Sequence, residues 1–383
     1  MTADIQQLDQ LLQEIDEQVD LDHCEQVDAR YRRAFSGAAT DRPPLVVKAN
    51  WDSQWMLPDP WNQFEHYPYR QSYDDPIAMM QNQLLERVVP GLILKDDSPL
   101  AIRNNHGTIQ VASILSGHWG SHEDNPPWIK PWASDEAIRA LVNSDKPINL
   151  DGGVIGRSTR ALNFYAQQLA KHPKCYQAIQ ISLPDLQGPF DTAEQLWGSD
   201  IFIGLIDEPE LVTALLEKVV KTMIEVEQLY RPYARDRLEP LANSQLGYNI
   251  PGRWLLRNDS SILMSLDDYR HIVAPKDAQL LKTVGGGSLH FCGDGEHLVE
   301  PMLEILELKG LDFGQTEMMD IDRIYALCRE RKVAITNHIP PRERLIDGTV
   351  QNKFPTGVVL VYETESMEDA QEVVQAYQRQ TVF

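Results

Sequence analysis

Short β-rich runs alternate eight times with amphipathic helices, which predicts a (β/α)8 TIM barrel. Three observations carry that expectation: the alternation itself, helix-start signals behind the runs, and aromatic residues gathered in long segments after the first two runs. An open doubly wound sheet is the other arrangement that such alternation allows.

The first element is helical. Ile5, Leu8, Leu12, Ile15 and Val19 recur at steps of three and four, and the opposite face is acidic. Residues 1–40 are therefore expected to form an N-terminal helical extension and residues 41–383 the barrel. The candidate strands are Pro44–Lys48, Leu100–Asn104, Ala178–Leu183, Glu239–Asn243, Ser288–Cys292, Leu311–Glu317, Val333–Asn337 and Gly357–Glu363. In Asp207-Glu208-Pro209-Glu210, Asp207 reads as an N-cap with an acid three residues on and an early Pro, opening a helix striped by Leu211, Leu215, Val219 and Met223. A second helix is expected from Glu296 to Lys309, stopped by Gly310. Trp51, Trp55, Trp61, Trp119, Trp128 and Trp132 fall in the two long segments, where barrel loops sit at the C-terminal mouth. They form either a small core of their own or an aromatic lid.

Composition narrows the function. Lys and Arg number 35 against 57 Asp and Glu, a formal charge of −22 that disfavours nucleic acid and anionic membrane as partners. No apolar stretch approaches the ~18 residues of a membrane span. Four scattered cysteines and an acidic N-terminus fit a cytoplasmic protein acting on a small molecule as a monomer or homodimer.

The chemistry concentrates in Gly285-Gly286-Gly287-Ser288-Leu289-His290-Phe291-Cys292-Gly293. On a strand, His290 and Cys292 point to the same face and offer an imidazole and a thiolate, both preferred zinc ligands. Glu317, at the end of the next predicted strand, would complete a His/Cys/Glu set with an open position, the catalytic form of a zinc site. A hydrogen-bonded core histidine beside a buried cysteine, with Glu317 as a helix cap, is the plainer alternative. Other polar residues fall at predicted strand ends: Asn50 and Asp52, Asn105 and His106, Asp185 and Gln187, Gln245, Asp259, and Asn337 and His338. In a barrel they converge on one mouth as substrate-binding groups, with Asp259 and His338 as catalytic candidates. His338 is the preferred general acid or base. The glycines before Ser288 precede a strand instead of opening a helix, so they make no phosphate loop.

The run Arg257-Asn258-Asp259-Ser260-Ser261-Ile262-Leu263-Met264-Ser265, then Tyr269, Pro275 and His290-Phe291-Cys292-Gly293, resembles the uroporphyrinogen decarboxylase superfamily, as does Asp185-Leu186-Gln187-Gly188-Pro189 followed by Asp207-Glu208-Pro209-Glu210. The resemblance implies a (β/α)8 barrel over roughly residues 75–380. In the decarboxylase branch, arginines after the first strand bind a polycarboxylate porphyrinogen; here Val46–Asp52 has no such pair. The corrinoid-linked methyltransferase branch fits better, since His290 and Cys292 match its His-x-Cys zinc ligands. Its third ligand, a Cys near the last strand, is replaced by Val361-Tyr362-Glu363-Thr364-Glu365. Glu317 resembles the glutamate ligand of the related cobalamin-independent methionine synthases, with Glu363 a weaker substitute. The resemblance thus implies zinc-dependent methyl transfer to a thiol from a corrinoid on a partner protein. Two alternatives stand beside it. One is a metal-free decarboxylase or lyase; the other is a non-catalytic barrel holding a flat ligand through Trp51 or Trp128.

Overall fold

The computed structural model describes residues 3–49, 57–121, 124–132, 134–234 and 242–380. Asn50, Trp51, Asp52 and Trp55 lie outside the described residues. Two helices open the chain, α1 (Ile5–Gln18) and α2 (Leu21–Ser36), capped by Asp4 and Asp20, whose carboxylates accept from Gln6 N and His23 N. The strands are β1 (Leu45–Ala49), β2 (Ala101–Ile102), β3 (Trp119–Gly120), β4 (Trp128–Ile129), β5 (Gln180–Ile181), β6 (Ala242–Asn243), β7 (Ile250–Pro251), β8 (Trp254–Arg257), β9 (Gly287–Phe291), β10 (Leu308–Phe313), β11 (Ala334–His338) and β12 (Val358–Thr364).

Six strands form one parallel sheet in the order β1-β12-β11-β10-β9-β8. β2 and β5 form a separate parallel pair, and one bridge between Gln187 and Arg257 ties the segment after β5 to β8. The pairs β3/β4 and β6/β7 are antiparallel. The architecture is mixed α/β with helices between parallel strands. Among the described residues the strands do not close into a hydrogen-bonded cylinder.

Each of the eight predicted runs contains a strand, but the second and third shrink to two paired residues each, and of the fourth only Ala242–Asn243 lies among the described residues. β8 was not among them: Trp254-Leu255-Leu256 is an apolar run of the kind buried parallel strands use, closed by Arg257 and without the alternation that marks a strand. Two helix boundaries also differ. Asp207 ends the helix Asp200–Asp207, and the next, Pro209–Tyr230, begins without a side-chain cap. The helix from Glu296 stops at Leu303, and Gly310 lies inside β10, where a Cβ would come within 2.6 Å of Pro251 Cγ and Ser288 Oγ.

Alternation along the strands sorts the sheet into two faces. One face carries Trp254, Leu256, Leu289, Phe291, Leu311, Phe313, Ile335 and Leu360 into the main core beneath the helices. On the other, Val46, Leu255, Val359 and Val361 pack with Val27 and Tyr31 of α2 and with Tyr248 and Ile250. One pleat further along this second face the residues turn polar or charged: Val46 gives way to Lys48, Leu255 to Arg257, Gly310 to Asp312 and Ala334 to Thr336, and the already polar Ser288 is followed by His290. Register aligns Arg257 with His290, His290 with Asp312 and Asp312 with Thr336, so the polar row crosses four adjacent strands.

The extension is fastened beside the start of β1. Asp97, fully buried, accepts from Arg30 of α2, from Arg42 and from the backbone N–H of Leu45 at 2.9 Å. Removing one partner of a buried pair leaves an uncompensated charge, a loss of about 3–5 kcal/mol. Asp97→Asn is therefore expected to lower the unfolding free energy by about that amount in urea titrations; an unchanged midpoint would show that the pair does not fasten the extension.

Candidate metal centre

Three side chains meet at the C-terminal end of β9. His290 lies on the polar face of the strand, and Cys292 follows just beyond its end. Asp259 comes from the turn after β8, where the helical turn Ser260–Leu263 begins. One ligand atom from each of the three lies within 4.8 Å of the others, and no other group of three His, Cys, Asp or Glu side chains does this among the described residues. Asp259 Oδ1 accepts from Cys292 N at 2.8 Å and stands 3.5 Å from His290 Nε2. His290 Nε2 lies 3.3 Å from Cys292 Sγ. Histidine is buried, Asp259 half-buried and Cys292 exposed, so the group opens on one side. Gly188 permits the approach of the neighbouring segment, because a Cβ there would come within 2.0 Å of Asn258 Oδ1.

A buried carboxylate behind the group holds it. Asp312 Oδ1 accepts from His290 Nδ1 at 2.6 Å, while Oδ2 accepts from Tyr248 OH at 2.8 Å and Thr336 Oγ1 at 2.6 Å. This fixes the proton on Nδ1 and leaves Nε2 facing Cys292 and Asp259. Burial pulls the His290 imidazole down, but its bonds to Asp312 and Cys292 outweigh that and hold its pKa at about 10. Burial pushes the Asp312 carboxyl up, and its bond to His290 more than reverses this, holding it below the usual range. A carboxylate orienting a ligand histidine is the outer shell that metal sites commonly use.

Glu317, expected as the third ligand, does not join His290 and Cys292. It sits exposed in the tight turn Thr316–Met318, because β10 ends at Phe313 and the chain has already turned away; Asp259 takes the third place. Glu363, the weaker substitute, is exposed and in register with Lys48. His338, expected as a general acid or base, is pinned against Thr316 Oγ1 at 3.2 Å and packed edge-on to Phe354. Burial and Lys353 push its pKa down to about 4, so it is neutral at physiological pH. His106 is another buried neutral histidine, near 4 through burial and Arg157; it bonds Ser158 and meets the Tyr73 ring edge-on. Asn105 turns its backbone to Tyr69 OH and Met79. Trp128, on β4, is 48% exposed.

Asp185 is committed to the protein. Its two oxygens accept from Arg257 Nε and Nη2, from Arg103 Nη1 and from Gln245 Nε2, at 2.7 to 3.0 Å. Burial raises its carboxyl, but Arg103 and Arg257 more than offset that and hold it at about 2. Gln187 lies in the bridge to Arg257 and its Oε1 is buried with no partner among the described residues. Asp312, Tyr248 and the cations Lys48, Arg87, Arg103 and Arg257 are scattered along the sequence and are brought together only by the fold. A charged residue midway along an apolar strand was the available signal for Asp312.

No protein-family model matches the chain, and no curated protein matches it in sequence. The fold and the triad therefore define an α/β protein with a candidate metal centre at the strand ends.

His106 and His338 set an acid limit on stability. Both have folded pKa values near 4 against an ordinary 6.5, so between those values the unfolded chain binds protons that the fold refuses. Stability is then full above pH 6.5 and falls on acidification towards pH 4. Each contributes on the order of 2 kcal/mol to the loss by pH 5. Urea midpoints of the metal-free protein at pH 7 and pH 5 should converge in His338→Gln relative to the wild type; an equal drop in both would refute this assignment.

Proposed function

We propose that the chain is an enzyme that binds zinc through Asp259, His290 and Cys292 and uses it to activate a thiol for methyl transfer. The observation that carries this reading is the donor set: one oxygen, one nitrogen and one sulfur, open on one side, with the histidine oriented by Asp312. Three protein ligands and a free position are the catalytic form of a zinc site. Zinc bound there would acidify a coordinating thiol and make it a thiolate at neutral pH. The chain's own residues supply placement. Asp312 holds the His290 ring with Nε2 forward, and the half-buried Asp259 keeps its backbone bond to Cys292 while presenting a carboxylate oxygen.

On this reading the chain is a cytoplasmic (β/α)8 barrel of the uroporphyrinogen decarboxylase superfamily. The β2/β5 pair would then stand between β1 and β6, a position supported by Ser182 and Gln180 bonding Ser244 just after β6. The methyl donor is a corrinoid carried by a partner protein. A corrinoid would supply the methyl group as an electrophile to the thiolate sulfur and would keep the bonding pair, while the thiol proton would be released to solvent at the open side of Asp259, His290 and Cys292. A second reading has its own support. The cations around Asp185 suit a carboxylate substrate, so a metal-free decarboxylase of the same fold would use these residues without zinc.

Metal analysis separates the two. The purified protein is expected to hold about one zinc per chain, as one three-ligand centre requires. Cys292→Ser should abolish this, and Asp312→Asn should weaken zinc affinity by about 10–100-fold. Affinity should rise with pH, because His290 and Cys292 must lose protons to bind. Absence of zinc from wild-type protein after incubation with zinc and dialysis would overturn the methyl-transfer reading.

A further inference from the structure

Positive charge collects around the polar row of a chain whose net charge is −22. Lys48, Arg87, Arg103 and Arg257 converge there, and among the described residues the buried carboxylates beside them are Asp185 and Asp312. Both carboxylates are already taken. Asp185 is shared by Arg103 and Arg257, and both oxygens of Asp312 accept from His290, Tyr248 and Thr336. That leaves two cations unmatched. Lys48 Nζ lies 4.4 Å from the centre of the Tyr248 ring and, among the described residues, has no hydrogen bond or ion pair. Its exposed register neighbour Glu363 reaches it only through the longer-range field, with Asp312. Arg87 has a single neutral acceptor, the carbonyl of Gln245 at 3.2 Å, and no carboxylate within ion-pair distance among the described residues.

The placement of Arg87 is built in. Leu84–Val88 is a π turn, with Val89 N bonded to Leu84 O five residues back. Pro90 follows, lacks an N–H and would clash with the Glu86 carbonyl in a regular helix, so the turn widens. The Arg87 side chain reaches the 245–247 backbone, the segment that leads into Tyr248. Lys48 and Arg87 repel each other, and burial together with neighbouring cations draws both below their ordinary basicity, to about 8 and about 9. Two half-buried cations set against the same 245–248 segment, with no counter-ion among the described residues, cost free energy that a bound anion would recover.

We infer that Lys48 and Arg87 form the carboxylate-binding end of the substrate site, gripping a carboxylate on the small molecule whose reacting end lies at Asp259, His290 and Cys292. Lys48 connects to that centre through Tyr248, whose ring it covers and whose hydroxyl bonds the Asp312 that holds His290. The inference deepens the reading of the triad by naming the substrate class, yet the carboxylate grip itself needs no metal.

The test is calorimetric titration of the full chain, metal-stripped and zinc-loaded, with propionate, inorganic phosphate, 3-mercaptopropionate and 2-mercaptoethanol. Propionate should bind the metal-stripped protein more tightly than phosphate. Lys48→Gln and Arg87→Gln should each weaken it by about tenfold or more, the loss of one charge-assisted hydrogen bond. Lys48→Arg and Arg87→Lys should retain most of the binding, which separates lost charge from lost folding. In the zinc-loaded protein, 3-mercaptopropionate should bind at least about tenfold tighter than 2-mercaptoethanol, for the same reason. Propionate binding by a chain that takes up no zinc would support the grip and sink the metal reading. Zinc uptake with equal affinity for the two thiols would overturn the grip and leave the metal reading standing. Preference for phosphate, or folded Gln variants that bind propionate like wild type, would also overturn it.

Discussion

The carboxylate of Asp312 is the constraint on which the rest of the site depends. It is fully buried, and a desolvated charge of that kind persists only when every lone pair is used. Its partners come from β9, β11 and the segment before β7, so satisfying it fixes three neighbouring pieces of chain against β10 at once. A slip of one residue in any of these strands would turn the partner to the apolar face and strand the charge. The register that aligns His290, Asp312 and Thr336 is thus an electrostatic requirement as much as a packing one.

Charge is partitioned along the sheet to suit this. The chain is strongly acidic overall, while four cations, Lys48, Arg87, Arg103 and Arg257, stand around the row beside Asp312 and Asp185. Asp185 takes two arginines in charge-assisted bonds and so locks the segment after β5 to β8. The Cys292 thiol is left exposed at the rim, while Lys48, Arg87, Arg103 and Arg257 are half-buried.

Much of the fold was legible because it rests on periodicity. The helix Pro209–Tyr230, the strands β9 to β12 and the same-face pairing of His290 with Cys292 follow from spacing alone. Spacing does not give the third member of the triad. Glu317 and Asp259 lie at comparable separations from His290, 27 and 31 residues away, and the choice between them depends on where the neighbouring strands end. β10 ends at Phe313, so Glu317 is carried off in a turn; β8 ends at Arg257, so Asp259 stays level with Cys292. His338 misled for a related reason. Asn337 takes a left-handed conformation, with φ of 62°, and kinks the end of β11 so that His338 turns into a neutral contact with Phe354. A histidine's basicity is set by such surroundings, which the sequence does not display.

The N-terminal extension belongs to the same construction. Val27 and Tyr31 of α2 pack onto the apolar part of the face whose next pleat carries Lys48, Arg257 and the polar row. Tyr248 joins the two regions: its ring lies in that apolar cluster, while its hydroxyl bonds Asp312. Water excluded from the apolar end cannot screen the charges one pleat away, and an unscreened Asp312 binds His290 more strongly. The helices that fasten through Arg30 and Asp97 therefore do more than cover a surface. They set the dielectric in which the carboxylate orients the imidazole, and through it the position of every donor at the open rim.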